Sequence, residues 1–356
     1  MTNAATGARG PRFCVLETTL ACNARCLHCG SNAGRPRARE LDTAEMLALV
    51  ADLAALGTFS ITLSGGEPLV RPDWVEIAAA IRDRGVRLEM ITNGLEAERF
   101  ADEIARLSFF AVTFSVDGPA AIHDALRGVP GGLARLLRGA AALRDRGVRL
   151  GACTQVNRRN LDALDALHAL LVENGFEGWQ IQLTMPMGAA SADRGALCLP
   201  PARLPELERR ILAYQDDGRM YCQAADNIGY MSRNEPRIRS GTGRDHAAWI
   251  GCRAGIDVVG ITSDGTVRGC LSLQSDYDEG NVRDRPLAEI WHDPRAFAWN
   301  RGRPPKRLEG ACAACPFGKV CRAGCTCLAH AVTGGTAHNP YCLYALESPS
   351  RGRVML

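Results

Sequence analysis

The sequence has no long hydrophobic run and little net charge. None of its apolar stretches reaches the ~18 residues that a membrane-spanning helix needs, and residues 1–11 lack the apolar centre of a secretory signal peptide. With 42 basic and 39 acidic residues, the formal net charge is only +3, which gives no strong electrostatic case for nucleic-acid binding. We therefore expect a cytoplasmic protein that binds neither a membrane nor a nucleic acid.

Cysteine is the exception in an otherwise ordinary composition. The 356 residues include 15 cysteines, most of them in tight groups. In a secreted protein they would indicate disulfides, but clustered thiols in a chain without an export signal more often bind metal. A chain of this length can form one large domain and a smaller one.

Apolar, β-rich segments alternate with helix-period segments over residues 13–214. Strands are predicted at 60–63, 88–92, 110–116, 150–156 and 179–183. The clearest helix is 43–56, where Asp42 and Glu45 have capping-box spacing and Gly57 follows the last turn. This alternation predicts parallel βα units. About six units fit, too few for a closed eight-stranded barrel, so a partial barrel and a doubly wound sheet both remain possible.

The pattern changes after residue 214. Residues 218–250 have weak periodicity, and cysteine, glycine and proline dominate from Cys252 onward. Two strand-like segments flank Ser263-Asp-Gly265, which is a β-hairpin signal, and residues 287–299 predict a short helix. The predicted division is a first domain at 12–217, a bridge at 218–250, a small cysteine-rich α+β domain at 251–345, and loose tails at 1–11 and 346–356.

The first cysteine group is Cys22, Cys26 and Cys29, which follows a strand-like segment. A loop of this spacing can wrap around one [4Fe–4S] cluster, and three thiolates leave one iron open, because four thiolates are the usual full set. A zinc site with three cysteines, or free thiols, are alternatives on spacing alone.

The segment Cys22-Asn-Ala-Arg-Cys26-Leu-His-Cys29 resembles the CxxxCxxC signature of the radical S-adenosylmethionine (SAM) superfamily. Four further motifs with resemblance to that superfamily follow in order, the first three at successive predicted strand ends: Ser64-Gly-Gly-Glu-Pro68, Thr92-Asn93-Gly94, Ser115-Val-Asp117-Gly118 and His123-Asp-Ala-Leu-Arg127. Parallel sheets bind ligands at the carboxyl ends of their strands, so the ordered set is more specific than any one motif.

This resemblance implies a fold, a site and a chemistry. The fold is a partial (β/α)6 barrel, and the cofactors are SAM and a [4Fe–4S] cluster. SAM is cleaved to methionine and a 5′-deoxyadenosyl radical, which abstracts hydrogen from the substrate. The implied SAM-binding residues are Gly65, Gly66, Glu67, Thr92, Asn93, Ser115, Asp117 and Arg127.

The second cysteine group is Cys252, Cys270, Cys312, Cys315, Cys321, Cys325 and Cys342. Its spacing resembles the seven-cysteine pattern of the SPASM domain, with a zinc ribbon as the alternative. The resemblance implies two auxiliary [4Fe–4S] clusters. The distal cluster would be held by Cys312, Cys315, Cys321 and Cys342, and the proximal cluster by Cys252, Cys270 and Cys325. The proximal set is one ligand short. The candidates are Cys222, Cys327, His246 or an open iron that receives substrate, and we favour Cys222. Cys14 and Cys153 lie in strand segments and are predicted to be small core residues.

Auxiliary clusters near the substrate imply removal of a second electron, and the chain resembles peptide-modifying (RiPP) maturases. Leu271 stands where sulfatase maturases carry an aspartate base, which counts against that activity. We predict an oxidative modification, such as a crosslink, of a ribosomal peptide. The alternatives are a small-molecule dehydrogenase, a peptide epimerase, and a non-catalytic iron–sulfur electron carrier. Candidate substrate-side residues are Asp226, Tyr230 and Asp257.

The resemblance also implies partners. These are a peptide precursor, an external reductant such as flavodoxin or ferredoxin, and a possible separate leader-binding protein, because only a dozen residues precede the first strand.

Overall fold

The computed structural model describes residues 10–240, 248–302 and 307–347. Its strands, in chain order, are β1 (Phe13–Thr19), β2 (Ser60–Gly65), β3 (Arg87–Thr92), β4 (Ala111–Ser115), β5 (Leu150–Val156), β6 (Gly178–Leu183), β7 (Tyr221–Ala224), β8 (Val258–Ile261), β9 (Thr266–Arg268) and β10 (Gly280–Asn281). Its helices are α1 (Thr43–Ala55), α2 (Trp74–Asp83), α3 (Ala101–Arg106), α4 (Ala120–Arg127), α5 (Gly132–Arg144), α6 (Leu164–Glu173), α7 (Arg194–Leu197), α8 (Leu204–Asp217), α9 (Glu235–Ser240), α10 (Leu287–His292), α11 (Ala298–Arg301), α12 (Gly310–Ala313), α13 (Gly318–Cys321), α14 (Thr326–Thr333) and α15 (Leu343–Glu347).

The strands form one sheet in the order β10-β9-β8-β1-β2-β3-β4-β5-β6-β7. Strands β1 to β7 are parallel to their neighbours, and β8 pairs in parallel with the other side of β1. Only β9 and β10 are antiparallel. The predicted α/β fold with a parallel sheet is therefore confirmed, and the sheet has β10 and β7 as its two edges.

The local sequence of helix α1 determines where the helix begins and which of its faces is buried. The Asp42 carboxylate accepts a hydrogen bond from Glu45 N, and the Glu45 carboxylate accepts one from Asp42 N, both at 2.9 Å. This reciprocal cap satisfies two backbone donors of the first turn. Met46, Leu49, Val50 and Leu53 then form its buried face. The predicted helix at 43–56 is confirmed as residues 43–55.

Two elements differ from the sequence prediction. The predicted bridge contains β7, a seventh parallel strand, whose four residues are too few to give a clear period. The predicted helix at 287–299 is two helices, α10 and α11, because Pro294 follows the first and Phe297 takes a positive φ of 56°.

The predicted hairpin at Ser263–Gly265 is confirmed, and it joins the large sheet instead of standing apart. Strand β8 places Val258 opposite Phe13 and Ile261 opposite Leu16 on β1. The sheet therefore runs across the boundary predicted at residue 251. Across the described ranges, no helix combines the length and apolar character that crossing a bilayer would need.

Candidate functional site

The first cysteine group lies in the loop after β1, at the carboxyl edge of the sheet. Its three sulfurs are close enough to influence one another electrostatically. Cys22 Sγ accepts a hydrogen bond from Ala24 N at 3.4 Å, and Cys29 Sγ accepts one from Ala33 N at 3.3 Å. Burial raises the pKa of the Cys22 thiol to about 11, so the thiolate needs a bound cation at neutral pH. This donor set fits an iron–sulfur cluster.

The arrangement of the cysteines bears on the choice between a cluster and a single zinc ion. In the three ranges that the structure describes, no three His, Cys, Asp or Glu side chains converge closely enough to hold a single metal ion. Zinc thiolates would surround one ion at about 2.3 Å. A cubic cluster is larger than one ion and keeps its thiolates further apart.

Gly65 and Gly66 bring the end of β2 against the cysteine loop. Gly66 N donates to Thr19 O at 2.7 Å, and Glu67 N donates to Ala21 O at 2.9 Å. A Cβ on Gly66 would lie 2.2 Å from the Ala21 oxygen, and a Cβ on Gly65 would lie 2.3 Å from the Thr19 oxygen. The glycines are therefore required by the approach of this loop.

The Glu67 carboxylate, fully buried, supports the loop after β3. It accepts hydrogen bonds from Thr92 Oγ1 and from Asn93 N, both at 2.7 Å, and burial raises its pKa to about 7. Asn93 Nδ2 lies 3.8 Å from Cys22 Sγ. Of these predicted SAM-binding residues, Glu67 and Thr92 have side chains committed to internal bonds, whereas Asn93 reaches the cysteine loop.

Asp117 is also fully buried and holds Arg127. Its Oδ2 accepts a 2.6 Å bond from Arg127 Nε and lies 3.1 Å from His28 Nε2, while its Oδ1 accepts from Gln155 N at 3.1 Å. Burial opposes ionisation, but the charge of Arg127 and the contact with His28 keep the pKa of Asp117 well below its usual range. Arg127 Nη1 lies 3.8 Å from Cys26 Sγ. Asp117 thus orients Arg127, and Arg127 faces the cysteines.

Sequence reasoning missed two parts of this site. His28 lies between Cys26 and Cys29, and that position was the available signal. The other is the segment after β6: Ala189 N donates to Cys29 O at 2.9 Å, and a Cβ on Gly188 would lie 2.4 Å from the same oxygen. No recognised motif marks that segment.

Ser115, a predicted SAM ligand at the end of β4, is half-buried. Within the described part of the chain its hydroxyl has no hydrogen-bond partner, so it remains available to a ligand.

In the structure, Cys327 lies with the three cysteines predicted for the proximal cluster. The Cys327 thiol is hydrogen-bonded to the sulfurs of both Cys270 and Cys325, and Cys252 is electrostatically coupled to Cys325. The bond from Cys327 lowers the pKa of Cys270 to about 7. The same bonds raise the pKa of Cys327. Four thiols therefore meet where the sequence predicted three.

The favoured fourth ligand, Cys222, is not part of this set, and that preference is corrected. Cys222 is buried on β7, where its thiol donates to Met220 O at 3.6 Å, and the charge that acts on it is that of Asp217. The strand fixes its side chain on the helix-covered face. His246, another candidate, lies outside the described residues.

The four cysteines predicted for the distal cluster lie close enough to act on one another electrostatically. Cys321 is electrostatically coupled to Cys312, Cys315 and Cys342, and Cys342 is coupled to the first two as well. Burial raises the pKa of Cys321 to about 12 and that of Cys342 to about 11, as at the first loop. Cysteines interleaved in sequence are thus sorted into two spatial groups.

Tyr230 is a buried link between the bridge and the cysteine-rich region. Its hydroxyl donates to Asp226 O at 3.0 Å and accepts from Cys325 N at 2.9 Å. It is therefore used internally and is not an open substrate-side group. Asp226 follows β7 at its carboxyl end, and its charge acts on Cys270.

Asp257 lies at the amino ends of the parallel strands, whereas the cysteine loop lies at their carboxyl ends. Its carbonyl accepts from Phe13 N, at the start of β1, at 2.9 Å. Its carboxylate is paired with Arg253 at 2.6 Å. The expectation that Asp257 faces substrate is corrected on these grounds.

Comparisons with known proteins agree with this geometry. The family model described as "Radical SAM superfamily" matches residues 16–170, and the SPASM model, an iron–sulfur cluster-binding domain, matches residues 252–316. An AdoMet-dependent heme synthase of Methanosarcina barkeri is 31% identical over 97% of this chain and 98% of its own. A PqqA peptide cyclase of Ruegeria pomeroyi is 30% identical over 97% of this chain and 89% of its own.

The solved structure of Streptococcus suis SuiB bound to the precursor peptide SuiA is similar in fold. Its TM-score is 0.72 at 16% identity, over 93% of this chain and 75% of that chain. This chain belongs to the radical SAM superfamily, among the members that carry a SPASM domain. Its cofactors are accordingly SAM, a [4Fe–4S] cluster and auxiliary iron–sulfur clusters. Heme synthases among the relatives are not predicted by the sequence motifs.

Proposed function

We propose that this enzyme oxidises a ribosomally made peptide, with SAM as the source of the radical. The observation that carries the proposal is the pairing of β8 with β1. Strand β1 leads into the Cys22 loop, and the hairpin that begins with β8 is flanked by Cys252 and Cys270. One rigid sheet therefore holds the radical site and the auxiliary cysteines, which suits removal of a second electron from a substrate between them.

When bound, SAM and the cluster held by Cys22, Cys26 and Cys29 would supply the radical, and the auxiliary clusters would supply an acceptor for the second electron. The chain's own residues fix the geometry. Arg127, held by Asp117, would meet the SAM carboxylate, and Asn93 and the free Ser115 hydroxyl would contact other parts of the cofactor. Remote carboxylates such as Asp117 keep the cationic group in one orientation before the ligand arrives.

The proximal auxiliary cluster is proposed to be held by four cysteines, Cys252, Cys270, Cys325 and Cys327. Support comes from the hydrogen bonds that join Cys327 to Cys270 and Cys325. A fully ligated cluster exchanges electrons without binding substrate, so this cluster would transfer an electron and hydrogen abstraction would be left to the radical. An external reductant such as flavodoxin or ferredoxin would supply the first electron.

A second candidate is favoured by the heme synthase relatives. Their identity is as high as that of the peptide cyclases, and they cover as much of the chain. An enzyme that acts on a tetrapyrrole would use the same SAM and cluster sites. The two candidates differ in what the substrate cavity must bind.

Co-expression with the peptide encoded by a small open reading frame beside the gene tests the proposal. Mass spectrometry of the peptide should show the loss of two hydrogens, and purified, reconstituted enzyme should form 5′-deoxyadenosine from SAM under reducing conditions. A peptide of unchanged mass would exclude oxidative crosslinking. Absence of 5′-deoxyadenosine with intact clusters would exclude radical SAM catalysis. Formation of heme from a tetrapyrrole precursor, with no peptide modified, would establish the second candidate.

A further inference from the structure

Strands β5, β6 and β7 carry a row of neutral amides on one face. Along each strand, residues buried beneath the helices alternate with residues on the opposite, inner face, most of which are half-buried. The inner face bears Gln155, Gln180, Gln182 and Gln223, here named the glutamine face. Strand register places Gln155 opposite Gln182, and Gln180 opposite Gln223.

The glutamine face adjoins the SAM site. Gln155 N donates to Asp117 Oδ1 at 3.1 Å, which ties β5 to the residue that orients Arg127. Cys153, on the same face, stands opposite Ser115 on one side and Gln180 on the other. As predicted, Cys153 is buried, and it lies on the inner face, where the charges of Asp117 and Arg127 act on it.

These glutamines have hydrogen-bonding capacity to spare. Gln223 Nε2 donates to Gln180 Oε1 at 3.3 Å. The side chains of Gln155 and Gln182 make no hydrogen bond to any residue that the structure describes. Each carboxamide offers two N–H donors and one acceptor oxygen. A half-buried row of such groups needs a polar occupant, because polar groups left unpaired by an apolar ligand cost free energy.

The three strands themselves carry no charged side chain, and the nearby Arg127 is already paired with Asp117. None of the 7 residues of β5, the 6 of β6 or the 4 of β7 is acidic or basic. Carboxylates are bound most strongly by arginine and lysine, so this face is poorly suited to the acid side chains of a tetrapyrrole. Peptide backbone suits it well, because every residue except proline presents one N–H and one C=O.

We propose that the glutamine face binds the backbone amides of an uncharged, extended segment of a peptide substrate. This inference rests on the proposed peptide-oxidising function and adds the chemistry by which the peptide is held. Paired carboxamides on neighbouring strands present donors and acceptors at the spacing of a sheet, about 4.8 Å. They would hold the peptide beside Ser115 and Arg127, where the radical forms.

Binding can be measured without turnover. The reconstituted holoenzyme, with SAM and no reductant, is titrated with acetyl-hexaglycine amide by saturation-transfer NMR, because this probe carries backbone amides and no side chains. The double variant Gln155→Met and Gln182→Met keeps side-chain length but removes the hydrogen bonds. Its dissociation constant should rise at least about fivefold, the factor for one neutral hydrogen bond.

Gln274→Met, an exposed glutamine away from these strands, is the matched control and should bind the probe like the wild type. Thermal unfolding and iron content confirm that each variant is folded and loaded. Equal binding by the double variant and the wild type overturns the inference. If the wild-type enzyme still removes two hydrogens from the co-expressed peptide in that case, the proposed function survives; if it does not, both fail.

Metal-free coproporphyrin III serves as the opposing probe, measured by fluorescence polarisation. We expect no difference between the double variant and the wild type for this probe. Coproporphyrin binding that is lost in the double variant, with no competition from the glycine peptide, would overturn the inference in favour of a tetrapyrrole substrate.

Discussion

The thiol of Cys327 donates a hydrogen bond to the sulfur of Cys270, which lies far from it in sequence. Cys270 follows β9 of the hairpin, whereas Cys327 lies in the first turn of α14. The contact closes a group of four thiols around the proximal position and leaves Cys222 in the apolar core. Cys327 therefore replaces Cys222 as the proposed fourth ligand of the proximal cluster.

Cys327→Ala should remove iron equivalent to about one cluster of the three and abolish the electron paramagnetic resonance signal of the proximal cluster. The reason is that three thiolates hold a cluster less tightly than the usual four. Cys222→Ala, the matched control, removes a buried thiol of the same type outside the group. Iron loss from the Cys222 variant, with the Cys327 variant fully loaded, would contradict the assignment.

Gly66→Ala should destabilise the cysteine loop. Its Cβ would lie 2.2 Å from the Ala21 oxygen, and overpacking of a tight site costs about 1–3 kcal/mol. Thermal unfolding of the apoprotein measures this cost, and iron uptake should fall with it. Gly30→Ala, in the same loop, has no neighbouring atom within 4 Å of the added Cβ and should change stability by less than about 0.5 kcal/mol. Equal effects of the two substitutions would contradict the steric argument.

Asp117→Asn should cost about 3–5 kcal/mol of unfolding free energy, because it leaves the mostly buried Arg127 charge without its partner. Urea denaturation gives the value. SAM affinity should fall as well, since Arg127 loses its fixed orientation. Asp102→Asn breaks the exposed pair with Arg146 and should cost less than about 1 kcal/mol.

A double-mutant cycle separates this pairing from the loss of Asp117 itself. Arg127→Met in the Asp117→Asn background should recover part of the lost stability, because no unpaired charge remains buried. Strict additivity of the two substitutions would show that the two residues are not coupled.

Stability should fall in acid partly through Glu45. Hydrogen bonds from Arg283 and from Asp42 N lower the pKa of Glu45 from 4.5 to about 2. A lowered folded-state pKa stabilises the protein above the unfolded pKa and loses that effect as pH falls towards the folded value. The loss should therefore fall between about pH 5 and pH 2.

Thermal midpoints of wild type and Glu45→Gln across that interval test the assignment. The gap between the two proteins should be largest near neutral pH and should close as pH falls. Glu76→Gln, in the first turn of α2 without an ion pair among the described residues, should show no such closing. A gap that is constant with pH would contradict the role of Glu45.

Much of the fold could be predicted from local patterns. The capping box at Asp42, the apolar period of α1 and the turn at Ser263–Gly265 each depend on residues a few positions apart, and each is confirmed. Strand β7 could not be predicted in this way. It is short, and what makes it a strand is its pairing with β6, a contact with a distant segment.

The sequence by itself determined the cysteine spacings, the order of the motifs and therefore the superfamily, because these depend only on which residues stand next to one another. Tertiary structure decided which side chains are free. It committed the side chains of Glu67, Thr92 and Asp117 to internal hydrogen bonds. It also placed Asp257 at the amino ends of the strands, away from the cysteine loop, and brought Cys327 to Cys270. Burial and long-range pairing are set by the packing of strands and helices distant in sequence, and no local spacing encodes them.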